Sequence, residues 1–331
     1  MTTLRRPIAL LAALVAVGSL AACTTTVPDS TATTEAAPAE RVVTTDQGDV
    51  TIPGDAERIV VLNANLSGYL YALDVPVLAT IPETPGPGGG DYPEAYADEA
   101  AADETVVLPW GEDGFDYEAI LAQDPDLIIA GGQGFPSMQA VESYDRLTEI
   151  APTVIVSNTL LTWQEQLGFI ADDVLGQSEK EQELLTAYDD KVAEVAEAIT
   201  VPATPVNYLV LTADGTPYSL PESSALPQTL AAVGFEPAPV IADNPDFEVY
   251  GTGDSFELST EQVSQVFTAP MIFAFGFVDG GADPATLAGD PVYAGLPAFQ
   301  SNQVYELPYW AYRADYIRTM DLLDNIQQQF A

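Results

Sequence analysis

Four short apolar runs, RIVVLN (58–63), PVLATI (76–81), DLIIAGG (126–132) and TVIVSN (153–158), recur through the first half of the chain, each beside a segment with helical spacing. A strand that is apolar along its whole length is buried on both faces, so such runs alternating with helices predict a parallel sheet covered on both sides. NLSGYLYALD, DYEAILAQ and SYDRLTEI supply helices, the second with Asp116 placed to accept the free backbone N–H groups at its start. The theme resumes with VNYLVLTA (206–213), PMIFAFG (270–276) and QVYELP (303–308). Helices there are suggested by SSALPQTLAAVG, STEQVSQVF and RADYIRTMDLLDNIQQQF. Two α/β lobes of similar design follow. Ahead of them RVVTTDQGDVTI (41–52) alternates around a glycine-containing turn and reads as a hairpin.

Between the lobes, Trp163, Leu167, Ile170, Ala171, Val174 and Leu175 sit at helical spacing and stop at Gly176. Ser178 and Glu181 then have the spacing of a capping box, and Leu184, Leu185, Tyr188, Val192, Val195 and Ile199 restart the period. A helix over 178–199 spans about 33 Å at 1.5 Å per residue, enough to bridge two lobes. Lobes joined by one long helix close on a ligand by small rotations rather than a wide swing. Loops after the strand carboxyl ends then line the crevice: NANLSG, GGQGFPS, SNTLLTW, ADGTPYS, FGFVDG and PYWAYR. The expected fold is α/β, two Rossmann-like lobes joined by a single long bridging helix, with the ligand cleft between them.

The amino terminus has a different character. Arg5 and Arg6 precede an apolar run of ten residues, Ile8 to Val17, and small residues lead to Cys23. That is the layout of an export signal, and the run is half the roughly twenty residues a spanning helix needs. Leu20-Ala21-Ala22-Cys23 resembles the bacterial lipobox, in which the cysteine is lipidated and becomes the first residue after cleavage. Cys23 is the only cysteine, so the exported chain forms no internal disulfide. The following TTTVPDSTATTEAAPAE has almost no large apolar residues and reads as a tether. The expected division is a signal peptide at 1–22, lipidated Cys23 with its tether to 40, an N-terminal lobe at 41–160, connecting and bridging helices at 161–204, and a C-terminal lobe at 205–331.

Composition removes several classes of function. Nine basic residues against fifty acidic ones give a net charge of −41, which argues against nucleic acid and against anionic headgroups. The acids are scattered rather than gathered at metal-ligand spacing. The chain has no histidine, the commonest general base and metal ligand, and its single thiol is assigned to the lipid. A non-enzymatic protein is therefore expected. A surface hydrolase using paired carboxylates is the alternative from another class.

Lipobox, tether, hairpin, ERIVVLN, YEAILAQDPDLIIAGG, YDRLTEIAPTVIV and LTWQEQLGFIADDVLGQSEKEQELLTAYDDKV, in that order, resemble solute-binding lipoproteins of ABC importers for iron(III)-siderophores, relatives of cobalamin and haem binders. The resemblance covers nearly all of the mature chain. It implies a monomeric carrier, lipid-anchored at Cys23 on the outer face of the cell membrane, that delivers a ferric siderophore to an ABC permease and its ATPase. It also implies one docking glutamate on each lobe to pair with permease arginines, placed by the motif at Glu118 in DYEAIL and at Glu236 in AAVGFEPAP. The lipid at Cys23 is the one covalent group expected.

The cleft loops carry many aromatic residues. Trp110, Phe135, Tyr218, Tyr309 and Trp310 are the candidates for ligand contact, with core packing the competing reading, strongest for Phe275 and Trp163. Arg313, three residues after Trp310, is the basic candidate. In the loop before Glu118, where hydroxamate-binding relatives often hold an arginine, the chain has PWGEDGFD, and Glu112 and Asp113 there would repel an anionic chelate. The expected cargo is a neutral or cationic chelate such as a trihydroxamate, with cobalamin or haem as alternatives.

Overall fold

The computed structural model describes residues 40–84, 92–247, 249, 254–277 and 282–331. These fall in one compact unit, Pro38–Ala331. The signal segment, Cys23 and nearly all of the tether lie outside the described residues. No described helix is long and apolar enough to cross a membrane.

The hairpin pairs Arg41–Thr45 with Gly48–Ile52, antiparallel. Two five-stranded sheets follow. The first is wholly parallel, in the order Val106–Val107, Ala79–Thr80, Ile59–Val61, Leu127–Gly131, Thr153–Val156. In the second, Val206–Leu211, Met271–Gly276 and Val304–Glu306 are parallel, and Pro217–Ser219 and Phe256–Glu257 add antiparallel strands at one edge. Ile59–Val61, Leu127–Gly131, Val206–Leu211 and Met271–Gly276 are buried at every position, as expected of strands covered on both faces.

The bridge is a helix over Ser178–Ala198, 21 residues or about 31 Å. Its start differs from the sequence expectation. The cap residue is Gln177 with no side-chain cap, and the Ser178 hydroxyl donates to the Asp172 carboxylate instead of capping with Glu181. The reason lies just upstream, where the helix widens to an i+5 bond from the Leu175 N–H to the Ile170 carbonyl and Gly176 turns with φ +68°. Among the described residues the capping boxes lie elsewhere, at Thr162/Glu165 and Ser259/Gln262.

One core cluster runs from the hairpin through Trp163, Leu167 and the bridging helix to Phe235, Phe273 and the C-terminal helix, Tyr316–Phe330. That last helix packs against both the bridge and the N-terminal helix Ala64–Ala72. The lobes are therefore held at two places. Separate clusters fill the outer face of each sheet.

Candidate functional site

A cavity of about 340 Å³ lies between the lobes, lined by Asn65, Glu83, Thr84, Phe277, Tyr309, Trp310, Tyr312 and Arg313. Asn65 follows the strand Ile59–Val61, Glu83 follows Ala79–Thr80, Phe277 follows Met271–Gly276, and Tyr309 follows Val304–Glu306. All these strands are parallel and end at the same side of their sheets, so the crevice forms where their carboxyl ends face each other. A narrow inner recess continues past Gln133, Trp163, Gln166 and Asp254. There Trp163 Nε1 and Gln133 Oε1 are buried without a hydrogen-bond partner among the described residues.

Arg313 ends a short helical turn over Tyr309–Arg313. Its Nε donates to Asp254 at 2.7 Å, its Nη2 donates to the Tyr312 hydroxyl at 2.8 Å, and its guanidinium lies 4.3 Å from the Tyr312 ring centre. Burial opposes the Arg313 charge, but Tyr312 and Asp254 outweigh it and hold the group above its usual range. The guanidinium also presses on Gly134, where an added Cβ would sit 2.3 Å from Nη1. Glycine at 134 is what lets the C-terminal lobe approach the N-terminal lobe there, and its φ of +84° suits no other residue well.

A second arginine joins the lobes. Arg318, on the C-terminal helix, is 2 % exposed and reaches across to Glu83 through Nη1 at 2.5 Å and Nη2 at 3.1 Å, and to Asn65 Oδ1 at 3.1 Å. Glu83 accepts a third bond from the Tyr309 hydroxyl at 3.0 Å. Behind this pair, Asp315 caps the C-terminal helix, accepting from the backbone N–H groups of Ile317 and Arg318 and from the Tyr96 hydroxyl. Burial pushes the Asp315 carboxyl up to about 7, against the opposing pull of Arg318 and those N–H donors.

Of the residues expected to touch ligand, Tyr309, Trp310 and Arg313 line the cavity. Tyr218 stands next to that wall, its ring edge-on to Phe277 at 5.1 Å and its hydroxyl donating to Glu257 at 3.0 Å. Phe135 is 39 % exposed at the start of the helix that follows Gly134, beside Trp110 at 6.2 Å. Trp110 itself is turned inward, 3 % exposed, with Nε1 donating to Gln139 at 2.6 Å, and belongs to the outer core of the N-terminal lobe. Its burial follows from the Trp110–Gly111/Gly114–Phe115 hairpin, which clamps the indole beneath a turn that exposes Glu112 and Asp113. Phe275 and Trp163 are core residues at 1 % exposure each, although Trp163 also lines the inner recess. Glu83, Asp254 and Arg318 also belong to the cleft, with no local signal in the sequence that places them there.

Glu118 is exposed in the first turn of the helix Tyr117–Ala122, whose cap is Asp116. Glu236 is exposed in the turn where its carbonyl accepts from the Val206 N–H at 2.8 Å. Val206 begins its strand, so Glu236 lies at the opposite end of the sheet from the cleft. The C-terminal counterpart of Glu118 by position is Glu261, exposed in the first turn of the helix Thr260–Val266 capped by Ser259. Each of these helices leads into the fourth strand of its five-stranded sheet, Leu127–Gly131 and Met271–Gly276.

Two α/β lobes braced by a long helix, with an aromatic crevice at the strand ends, define a two-lobe solute-binding protein. The chain belongs to the periplasmic binding protein family, whose sequence profile it matches over residues 59–309. It is 31 % identical over 305 residues to the ferric enterobactin-binding periplasmic protein FepB of Escherichia coli, covering 90 % of this chain and 93 % of that one. Its fold is similar to that of holo-ViuP, with a TM-score of 0.76, 23 % identity and 88 % and 95 % of the two chains covered. It is also similar to Staphylococcus aureus SirA complexed with staphyloferrin B, with a TM-score of 0.68, 20 % identity and 88 % and 99 % covered.

Proposed function

We propose that this protein captures a ferric siderophore in the interlobe cleft and delivers it to an ABC permease driven by its ATPase, remaining tethered to the membrane by lipid at Cys23. The observation that carries this reading is the cavity of about 340 Å³ walled by Phe277, Tyr309, Trp310 and Tyr312. Flat aromatic faces beside the polar side chains Asn65, Glu83, Thr84 and Arg313 suit a bulky chelate whose organic shell hides the metal. The resemblance to FepB, whose name gives it ferric enterobactin as ligand, supports the same reading.

The cargo undergoes no covalent change. Tyr309, Trp310 and Arg313 are the contacts at the base of the cleft, with Tyr218 and Phe135 at its margins. Docking on the permease uses Glu118 from one lobe and Glu261 from the other. Their matched positions support this pair over Glu118 with Glu236, because two contacts on one flat face need to be at the same end of both lobes. Lipidation rests on the sequence Leu20-Ala21-Ala22-Cys23 and on the tether behind it.

The test is a tryptophan-fluorescence titration of residues 38–331 with ferric trihydroxamates, a ferric triscatecholate, ferric citrate, haemin and cobalamin, with free tryptophan as the inner-filter control. Saturable quenching by one class of ferric siderophore is the expected result. Saturation by cobalamin or haemin alone would reassign the cargo.

A further inference from the structure

Among the described residues the cleft contains two guanidinium groups, and each is already matched by a carboxylate. Arg318 holds both oxygens of Glu83, at 2.5 and 3.1 Å, and Arg313 holds Asp254 at 2.7 Å. These are not surface pairs: the Arg318 and Asp254 side chains are 2 % and 9 % exposed, and those of Glu83 and Arg313 are 19 % and 25 % exposed. Glu83 and Arg313 both line the main cavity, so among the described residues its wall presents one negative and one positive side chain, and the two behind them cancel likewise.

We propose that Glu83 and Asp254 set the charge selectivity of the carrier, disfavouring anionic ferric chelates relative to neutral or cationic ones. This rests on the carrier reading given above. An anionic chelate beside Arg313 or Arg318 meets a charge already neutralised by Asp254 or Glu83 and faces that like-charged carboxylate across a poorly solvated cleft, and pairing in the carboxylate's place would leave that group without its partner. An uncharged chelate makes no such demand and packs on Trp310, Tyr309 and Phe277 with both ion pairs intact. The acidity that governs cargo is therefore that of buried Asp254 and half-buried Glu83 rather than the large net charge spread over the surface, which solvent and salt screen. Glu83 has a further hold on the site, because its Tyr309 bond fixes one of the aromatic walls.

The experiment compares wild-type residues 38–331 with Glu83→Gln, Asp254→Asn and Glu197→Gln. Glu197 is exposed on the bridging helix and provides the same change in net charge away from the cleft. Each protein is titrated with a neutral ferric trihydroxamate and a trianionic ferric triscatecholate. The expected result is that Glu83→Gln and Asp254→Asn each shift the ratio of the two Kd values toward the triscatecholate by about tenfold or more, the scale of close charges in a partly buried site. Glu197→Gln leaves the ratio within about twofold. A gain in affinity for one chelate cannot arise from misfolding, and the two positions are read separately. A ratio that stays put in both cleft variants, or that moves equally in Glu197→Gln, overturns the proposal while leaving the carrier intact. Failure of every protein to saturate with either chelate overturns the carrier reading, and the proposal with it.

Discussion

The Tyr96 hydroxyl of the N-terminal lobe donates to the carboxylate of Asp315, the cap of the C-terminal helix. Both residues are fully buried, and 219 positions of sequence separate them. This contact, with the Arg318–Glu83 pair beside it, makes the C-terminal helix a second tie between the lobes in addition to the bridging helix. A carrier braced twice closes by small rotations, which keeps the cavity walls in nearly one arrangement before ligand arrives.

Asp315 gives the fold a pH dependence of defined sign. Its ordinary value is 3.8, and burial pushes it up to about 7. A carboxyl whose folded value is raised binds its proton more tightly in the folded state. Its contribution to stability is therefore whole below about pH 4, falls as pH rises from about 4 to about 7, and stays low above that. The groups facing it are Tyr96, Tyr69, Tyr92 and Arg318. Asp315→Asn keeps the cap, since asparagine caps as well as aspartate. It should flatten this part of the profile, a change on the order of a few kcal/mol. Urea unfolding at several pH values between 4 and 8 reads the slope, and parallel profiles for the two proteins would contradict the assignment.

Gly68 should not tolerate a side chain. A Cβ there would lie 2.4 Å from the Asp315 carboxyl carbon, in a wholly buried seam between the helix Ala64–Ala72 and the C-terminal helix. Gly68→Ala should destabilise by about 1–3 kcal/mol as the two helices are forced apart. A thermal midpoint equal to that of wild type would show that the seam is loose.

Removing one member of the Arg318–Glu83 pair should cost more than removing both. Arg318→Met leaves Glu83 facing Asn65 and Tyr309 without its cation, and a loss of about 3–5 kcal/mol is expected. Adding Glu83→Gln to that variant should restore a large part of it. A double variant as weak as the single one would mean that packing of the Arg318 chain, rather than charge, is what the fold relies on.

Docking is separable from binding. Glu118→Ala and Glu261→Ala should each lower siderophore-dependent iron uptake several-fold in cells, and together abolish most of it, while Kd for the chelate is unchanged. Glu236→Ala should leave uptake near wild type. Loss of uptake in Glu236→Ala and not in Glu261→Ala would return the docking role to the residue that the sequence motif suggests.

The fold was largely legible because burial on both faces leaves a direct trace, a run such as LIIAG in which every residue is apolar. The bridging helix was legible through its period, although its start was not. Ser178 and Glu181 have capping-box spacing, yet the preceding turn with i+5 bonding and Gly176 places Ser178 inside the helix. The site was only half legible. Tyr309, Trp310 and Arg313 follow a strand, and that local position puts them in the crevice. Arg318 sits in an amphipathic helix, where an arginine ordinarily marks the solvent face, and nothing local reveals that Glu83 will meet it from 235 positions away. Trp110 shows the opposite failure: an aromatic residue in a loop that two short strands fold inward onto Gln139.

The most direct test of the carrier assignment is the iron stoichiometry of the cleft. Residues 38–331 are incubated with excess ferric siderophore of the class selected by titration, passed over a desalting column, and assayed for iron and intact chelate, alongside Tyr309→Ala/Trp310→Ala. About one iron per wild-type chain is expected, recovered in unmodified chelate, and little or none on the double variant although it remains folded. Iron retained equally by both proteins, or chelate recovered cleaved, would contradict the carrier assignment.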